Sequence, residues 1–352
     1  MIGVCIKYFH PNYGGMLQAY ATVKLLEAHG LAYELIRYRK RPSLRSIATS
    51  APRLLNRVLL NDKYEAAVKM AWKIRRRAFA ASDATRAQAF ARFQREHFTA
   101  LSPVFTGYAA LCSGAARYRA VMTGSDQLWS PAGLPTHYYD LMFAPEGVRR
   151  ISYASSFGVK EIPWYQRRRT AAYLRQMDCI SMRETRGAEI VKELTGRDVP
   201  TVLDPVLMFC KEQWETLIPL QKEEREPYLL AYFLGANPAH RQAVRQMAAQ
   251  LRCKVVALRH LDRFVPADET FGDECPYDVD PARFLNILRG AAYVCTDSFH
   301  GACFSILHRK RFMVFDRYAA NAAHSKNARI DTLCESLSLT SRRFNGANLD
   351  VL

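Results

Sequence analysis

The chain has 352 residues, a length that suits two domains of about 150 residues better than one. Hydrophobic residues make up 49% and charged residues 24%, which excludes a disordered chain, and no apolar run approaches the ~18–20 residues of a membrane-spanning helix. Lys and Arg outnumber Asp and Glu by 50 to 33, and the resulting +17 favours anionic partners.

Met1–Tyr8 reads as a buried strand, without the basic start, long apolar core and cleavage site of a signal peptide. The turn 10–15 follows, then a helix over Met16–His29 stopped by Gly30, then a strand over Leu31–Arg37. Strand, glycine loop, helix and strand open a doubly wound α/β domain. From about Ser43 to Ala100 the rhythm breaks into a stretch rich in Arg, Lys and Ala, which predicts an inserted helical excursion without strands. Strands are then predicted over 119–123, 150–155, 179–182 and 201–203, with helices over 163–176 and 184–195. The pattern restarts with strands over 228–234, 254–258, 293–296 and 311–315 and helices over 238–251, 281–289, 301–308 and 329–336. The restart near 206–226 sets the expected boundary. An N-terminal Rossmann-like domain, 1–205, carries the basic insertion at about 43–100, and a C-terminal one spans 206–352. Two such α/β domains facing each other across a cleft form the expected architecture, which one large class of glycosyltransferases shares. The alternation also calls for a closing helix that 337–352 does not supply.

Nine cysteines without a CxxC pair read as reduced, buried residues of a cytosolic protein, and no Cys/His cluster has zinc-ligand spacing. There is no GxSxG elbow and no GxxxxGK[ST] phosphate loop. Between Arg37 and Arg77, thirteen Lys/Arg face only Asp62 and Glu65, a net of about +11. A solvated helical face, an anionic membrane surface and a nucleic-acid face all fit that charge. The stretch lacks the aromatic interleaving of single-strand binders, so no specific nucleic acid is expected.

Ligands of open α/β sheets bind at the carboxyl ends of the strands, so five loops are singled out. Asn12-Tyr13-Gly14-Gly15 sits before a helix, where bare N–H groups can approach an anion, although a plain turn looks the same. Gly124-Ser125-Asp126-Gln127-Leu128-Trp129 combines a carboxylate, an amide and an indole. Ser155-Ser156-Phe157-Gly158 is small and polar. In Ser181-Met182-Arg183-Glu184, Arg183 is placed to fork an anion, or else to pair with Glu184 or a neighbouring acid at the surface. In Thr296-Asp297-Ser298-Phe299-His300-Gly301, a His at a strand end can donate to a phosphate or move a proton near neutrality, or serve as a hydrogen-bonded structural residue.

Taken in order, with Met16-Leu17-Gln18-Ala19-Tyr20-Ala21 after the first loop, Ser152-Tyr153-Ala154 before the third and Leu203-Asp204-Pro205-Val206-Leu207 between the last two, this set resembles the polysaccharide pyruvyl transferase family. The resemblance runs over nearly the whole chain. It implies transfer of a pyruvyl group from phosphoenolpyruvate to a sugar of a cell-surface polysaccharide or its precursor, with a cyclic ketal formed and phosphate released. It implies no metal and no cofactor, phosphoenolpyruvate being the donor substrate. The acceptor is a glycan on a lipid or nucleotide carrier, and the setting is cytoplasmic, with peripheral contact to the inner face of the membrane. His300 is the candidate for phosphate contact or proton donor, and Asp126 for the base. Arg183, Ser298, Gly301, Asn12, Gly14, Gly15, Gln127 and Ser156 are candidate substrate contacts. Some relatives carry an Arg where this chain has Ser298, so the missing charge is sought at Arg309, Arg311 or Arg329. The basic stretch, with Arg53, Arg57, Arg75, Arg76 and Arg77, is the candidate membrane surface. Two other readings stay open. One is a glycosyltransferase of the same architecture whose nucleotide-sugar ribose is held by Glu269, Asp273 or Glu274. The other is a non-catalytic basic protein that binds membrane or nucleic acid.

Overall fold

The computed structural model describes residues 1–41, 57–131, 137–221, 226–262, 264–318 and 328–348, with the side chains of 57–63, 65 and 328 left aside. The first part of the expected insertion, including Arg53 and the Arg57 side chain, lies outside the described residues. Ten strands are present among them: β1 (Ile2–Cys5), β2 (Tyr33–Arg39), β3 (Leu101–Thr106), β4 (Ala120–Thr123), β5 (Arg149–Ser155), β6 (Cys179–Met182), β7 (Tyr228–Tyr232), β8 (Lys254–Ala257), β9 (Tyr293–Thr296) and β10 (Arg311–Val314). The helices are α1 (Tyr13–Ala28), α2 (Arg57–Arg75), α3 (Arg77–His97), α4 (Tyr108–Ala115), α5 (Trp164–Arg175), α6 (Thr185–Thr195), α7 (Lys211–Leu217), α8 (Pro238–Leu251), α9 (Pro281–Gly290), α10 (Phe299–Leu307) and α11 (Ala328–Ser336). No helix among the described residues is long and apolar enough to cross a membrane.

The chain forms two compact units. The first comprises 1–10, 18–62 and 96–208; the second comprises 11–17, 63–95 and 209–352. The first unit holds a six-stranded sheet in the order β3-β2-β1-β4-β5-β6, parallel throughout. This is the doubly wound order, and its direction reverses between β1 and β4. The second unit holds a parallel sheet in the order β10-β9-β7-β8, which reverses between β7 and β9. Central strands of such sheets are covered on both faces and read as unbroken apolar runs. Accordingly β4 and β7 are buried at every position.

Helix ends follow from local chemistry. Asn237 caps α8 by accepting from the Ala239 N–H, and Asp280 caps α9 by accepting from the Arg283 N–H at 2.8 Å. Pro238 and Pro281 take the first helical positions, where the missing N–H has no partner to lose. Gly196 ends α6 in the left-handed region at φ 77, which glycine adopts without steric cost. The first core gathers Trp129, Phe157, Tyr173, Leu174, Ile190 and Val191; the second gathers Leu229, Phe233, Val244, Met247, Val255 and Phe315.

Several expectations change. The strand β3 and the helices α4 and α7 were not anticipated, and only Thr201 of the expected strand 201–203 pairs, with Met182. β3 hides its nature because Pro103 interrupts it; at the edge of the sheet the missing N–H is tolerated. The helix α1 starts at Tyr13 instead of Met16, since the Asn12 carboxamide accepts from the Gly15 N–H at 2.9 Å and draws the glycines into the first turn. All nine cysteines are free thiols, yet only Cys5, Cys295, Cys303 and Cys334 are buried.

Candidate active site

In the first unit the loops that leave β4, β5 and β6 meet at Arg183. Its guanidinium is buried, with Nη1 donating to Asp204 Oδ2 at 2.6 Å and to Ser125 Oγ at 3.2 Å. Asp126 Oδ1 stands 3.6 Å from Nη2. Burial works against this charge, but Asp204, then Asp126 and Glu184, outweigh it and raise the pKa further. Asp204 in turn accepts from Ser125 Oγ at 2.8 Å and from the Val206 N–H at 3.1 Å. Arg183 is therefore the centre of a buried network and not a surface pair with Glu184. Glu184 faces the neighbouring loop, where Oε1 accepts from Ser156 Oγ at 2.9 Å and from the Phe157 N–H at 3.1 Å.

Asp126 has φ 79, a left-handed conformation that costs a residue with a side chain ~1 kcal/mol or more. The strain is held in place by its carbonyl, which accepts from the Leu128 and Ser156 N–H groups. Beside it Gln127 crosses Gly158 so closely that a methyl there would overlap the amide, and Gly158 itself has φ 64. Trp129 belongs to the core and donates from Nε1 to the Tyr139 carbonyl at 2.9 Å.

The second unit gathers the other candidates at the carboxyl ends of β7, β9 and β10, beside its point of reversal. Ser298 caps α10, its hydroxyl accepting from the Gly301 N–H at 3.3 Å, so these two candidates engage each other. Gly301 is bare because a methyl would fall 2.7 Å from Thr296 Oγ1. His300, expected in a turn, stands in the first turn of α10 and is buried. Gly14 lies against it: a methyl at Gly14 would fall 2.6 Å from His300 Cγ. Thus the structure brings Asn12, Gly14, Gly15, Ser298, His300 and Gly301 into the second unit, and Asp126, Gln127, Ser156 and Arg183 into the first.

Cations that the sequence did not single out complete this second group. Asp297 accepts from the Leu234 and Gly235 N–H groups, both at 2.7 Å, and Arg317 Nε stands 3.6 Å from Asp297 Oδ2. Arg86 of α3 is buried, donates to the Pro11 carbonyl, and lies over the Tyr13 and Phe90 rings. The Tyr13 ring stacks on Phe284 at 4.7 Å, and burial, partly offset by Arg86, pushes its hydroxyl up to about 12. Burial raises the Tyr232 hydroxyl too, with Arg86 and Arg317 pulling the other way. Tyr232 Oη, Arg86 Nε, Arg317 Nε and His260 Nδ1 are buried without a hydrogen-bond partner among the described residues. Of the replacements expected for the missing Arg, Arg329 lies over Phe299 at 5.6 Å, whereas Arg311 begins β10 and Arg309 precedes it, at the amino edge of the sheet. Position nine residues into a basic helix, or just past a strand, gave no sequence signal that Arg86 and Arg317 were special. Among the described residues no group of three His, Cys, Asp or Glu side chains is gathered as metal ligands would be.

The same ordered loops match the model of a known family, polysaccharide pyruvyl transferase, over residues 12–317. The chain belongs to the polysaccharide pyruvyl transferase family. It is accordingly a transferase, and the family implies a polysaccharide or glycan acceptor. No curated protein sequence matches it. Among solved structures, the transferase is similar to S. aureus MnaA in a co-structure with UDP, at 12% identity and a TM-score of 0.51, covering 99% of this chain and 85% of that one. A UDP-GlcNAc 2-epimerase from Methanocaldococcus jannaschii aligns at 8% identity and TM-score 0.49, covering 96% of this chain and 92% of its own. The ADP-heptose lps heptosyltransferase II of E. coli aligns at 11% identity and TM-score 0.36, covering 96% and 97%. At such identities the likeness concerns the fold alone, mixed α/β with parallel sheets.

Proposed function

We propose that this transferase moves the pyruvyl group of phosphoenolpyruvate onto two hydroxyls of one sugar, releasing phosphate and leaving a cyclic ketal. The observation that carries the reading is the cluster at the carboxyl ends of β7, β9 and β10. There Arg86 Nε and Arg317 Nε are buried without a hydrogen-bond partner among the described residues, both guanidinium charges act on the Tyr232 hydroxyl, and His300 stands in the neighbouring helix turn. A small polyanion with a phosphate and a carboxylate suits such donors. In the reaction the enol carbon takes a proton, for which His300 is the candidate. The adjacent carbon becomes oxocarbenium-like and accepts one sugar oxygen, whose proton passes to a base, for which Asp126 is the candidate. The carbon–oxygen bond to phosphate then breaks, the second hydroxyl adds, and its proton leaves with phosphate. Residues 206–352, together with 11–17 and 63–95 of the same unit, serve the donor, and the rest of 1–205 the acceptor. A glycan precursor on a lipid carrier at the cytoplasmic face would bring the enzyme to a membrane surface, in keeping with +17.

The nucleotide-sugar reading loses two of its ribose ligands. Glu269 is ion-paired with Arg76, and Asp273 accepts from the Val255 N–H at 2.7 Å. The test is phosphate release from phosphoenolpyruvate with a pool of glycan precursors as acceptor. Wild type should release phosphate only with acceptor present, and His300→Ala should be slower by ~10²–10⁴ with its melting curve kept. Equal rates in the two proteins would remove His300 from the chemistry.

A further inference from the structure

The basic helices are not uniformly solvated. On the inner side of α2, Trp72 stacks on Phe264 at 4.1 Å, and Lys69 and Lys73 both pair with Asp83, at 2.8 and 2.5 Å. Arg76 pairs with Glu269 and lies over the Trp72 ring. These cations are all paired within the fold. The opposite side is apolar and open. Ile74 is 77% exposed and Met70 60% exposed, with Tyr64, Ala67 and Ala71 exposed beside them. At about 100° per residue these five positions cover about a third of the helix circumference, on the side away from that formed by Trp72, Lys69 and Lys73. Arg75 borders this stripe and Arg77 follows at the start of α3; both are exposed and make no ion pair among the described residues.

We propose that this outer face of α2, with Arg75 and Arg77, docks on an anionic lipid surface. Among the described residues, Lys69, Lys73 and Arg76 are paired within the fold, while Arg75 and Arg77 stand without an ion pair at the border of an exposed apolar stripe. That is the arrangement of an interfacial helix, whose apolar side chains enter the headgroup boundary while the cations hold anionic headgroups. Charge alone would have put Arg76 on this surface; its pairing with Glu269 removes it, and the stripe adds an apolar contribution that salt does not screen. The docking rests on exposure and charge and is independent of the donor reading.

The test is flotation of the full-length protein with vesicles of phosphatidylglycerol and phosphatidylcholine, against phosphatidylcholine alone. Wild type should float with the anionic vesicles and remain below the neutral ones. Arg75→Gln/Arg77→Gln should weaken partitioning roughly 30-fold, and Ile74→Gln roughly tenfold, with circular dichroism and melting temperature unchanged in each. A wild type that does not float at low salt overturns the proposal. So does an Ile74→Gln protein that floats like wild type, since binding would then be electrostatic and sited elsewhere. A wild-type dimer in sedimentation velocity that Ile74→Gln dissociates also overturns it, because the stripe would then be covered by a second copy. None of these readouts needs phosphoenolpyruvate, so failure of the donor reading leaves the test intact.

Discussion

Arg183 and Asp204 illustrate how a residue at a candidate site can belong first to the scaffold. Both are buried, and each is the other's nearest countercharge at 2.6 Å. Removing one partner of such a pair leaves the other charge uncompensated and costs ~3–5 kcal/mol. Arg183→Ala should lower stability to urea by that order, and Asp204→Asn should then add little, because the two losses describe one interaction. Strictly additive losses in the double variant would show that the pair is not coupled. Gly14 makes the complementary case, a residue whose lack of a side chain matters. Alanine suits the helical backbone there, but its methyl would press on His300. Gly14→Ala should cost ~1–3 kcal/mol of stability and ~10²-fold in turnover by displacing the ring. Adding His300→Ala should recover the stability but not the activity. A double variant as unstable as Gly14→Ala would mean that the strain lies elsewhere.

At the scale of elements, the turn between α10 and β10 carries a built-in pH dependence. His308 is buried at the end of α10, where its Nε2 accepts from Arg289 Nε at 3.3 Å. Burial, and then the charges of Arg289, Lys211 and Lys310, lower its pKa from 6.5 to about 4. Below pH 6.5 the unfolded chain binds a proton at this position, and the folded chain does so only near 4. Stability is therefore lost as pH falls through that window, by ~1–2 kcal/mol once solvent screening is allowed for. Urea midpoints at pH 7 and 4.5 should draw closer together in His308→Gln than in wild type; an unchanged gap would acquit His308. The sequence shows such elements unevenly. Cys179–Met182, Pro238–Leu251 and Tyr293–Thr296 could be read to the residue, because apolar runs, an Asn-Pro start and flanking polar residues agree there. β3 could not, since a proline in an edge strand looks like a break. The His300 loop was legible as a strand end before a helix. Arg317, which meets Asp297 of that loop, and Arg86 were not, because an arginine just past a strand or in a basic helix carries no local mark of being turned inward.

For the molecule as a whole, the second unit is assembled from chain that is distant in sequence. Its sheet and most of its helices come from 209–352, yet 11–17 and 63–95 belong to it as well. Those early segments supply contacts that the C-terminal part has no substitute for. The Tyr13 ring stacks on Phe284 with an interplanar angle of 4° and meets Tyr232 edge-on at 5.6 Å. Arg86 stands 3.5 Å from Asp262, and Trp72 covers Phe264. A fragment 209–352 would expose one face each of Phe284 and Tyr232, which are buried in the intact chain. Burial of aromatic side chains contributes ~1.5–3 kcal/mol each, so losing these contacts removes a large part of the ~5–15 kcal/mol that holds a domain together. We therefore expect the fragment to bind a hydrophobic dye and to melt broadly at low temperature, and fusion of 63–95 ahead of it to restore part of the cooperativity. A fragment 209–352 that melts sharply at the temperature of the full chain would show that the early segments decorate the second unit without completing its core.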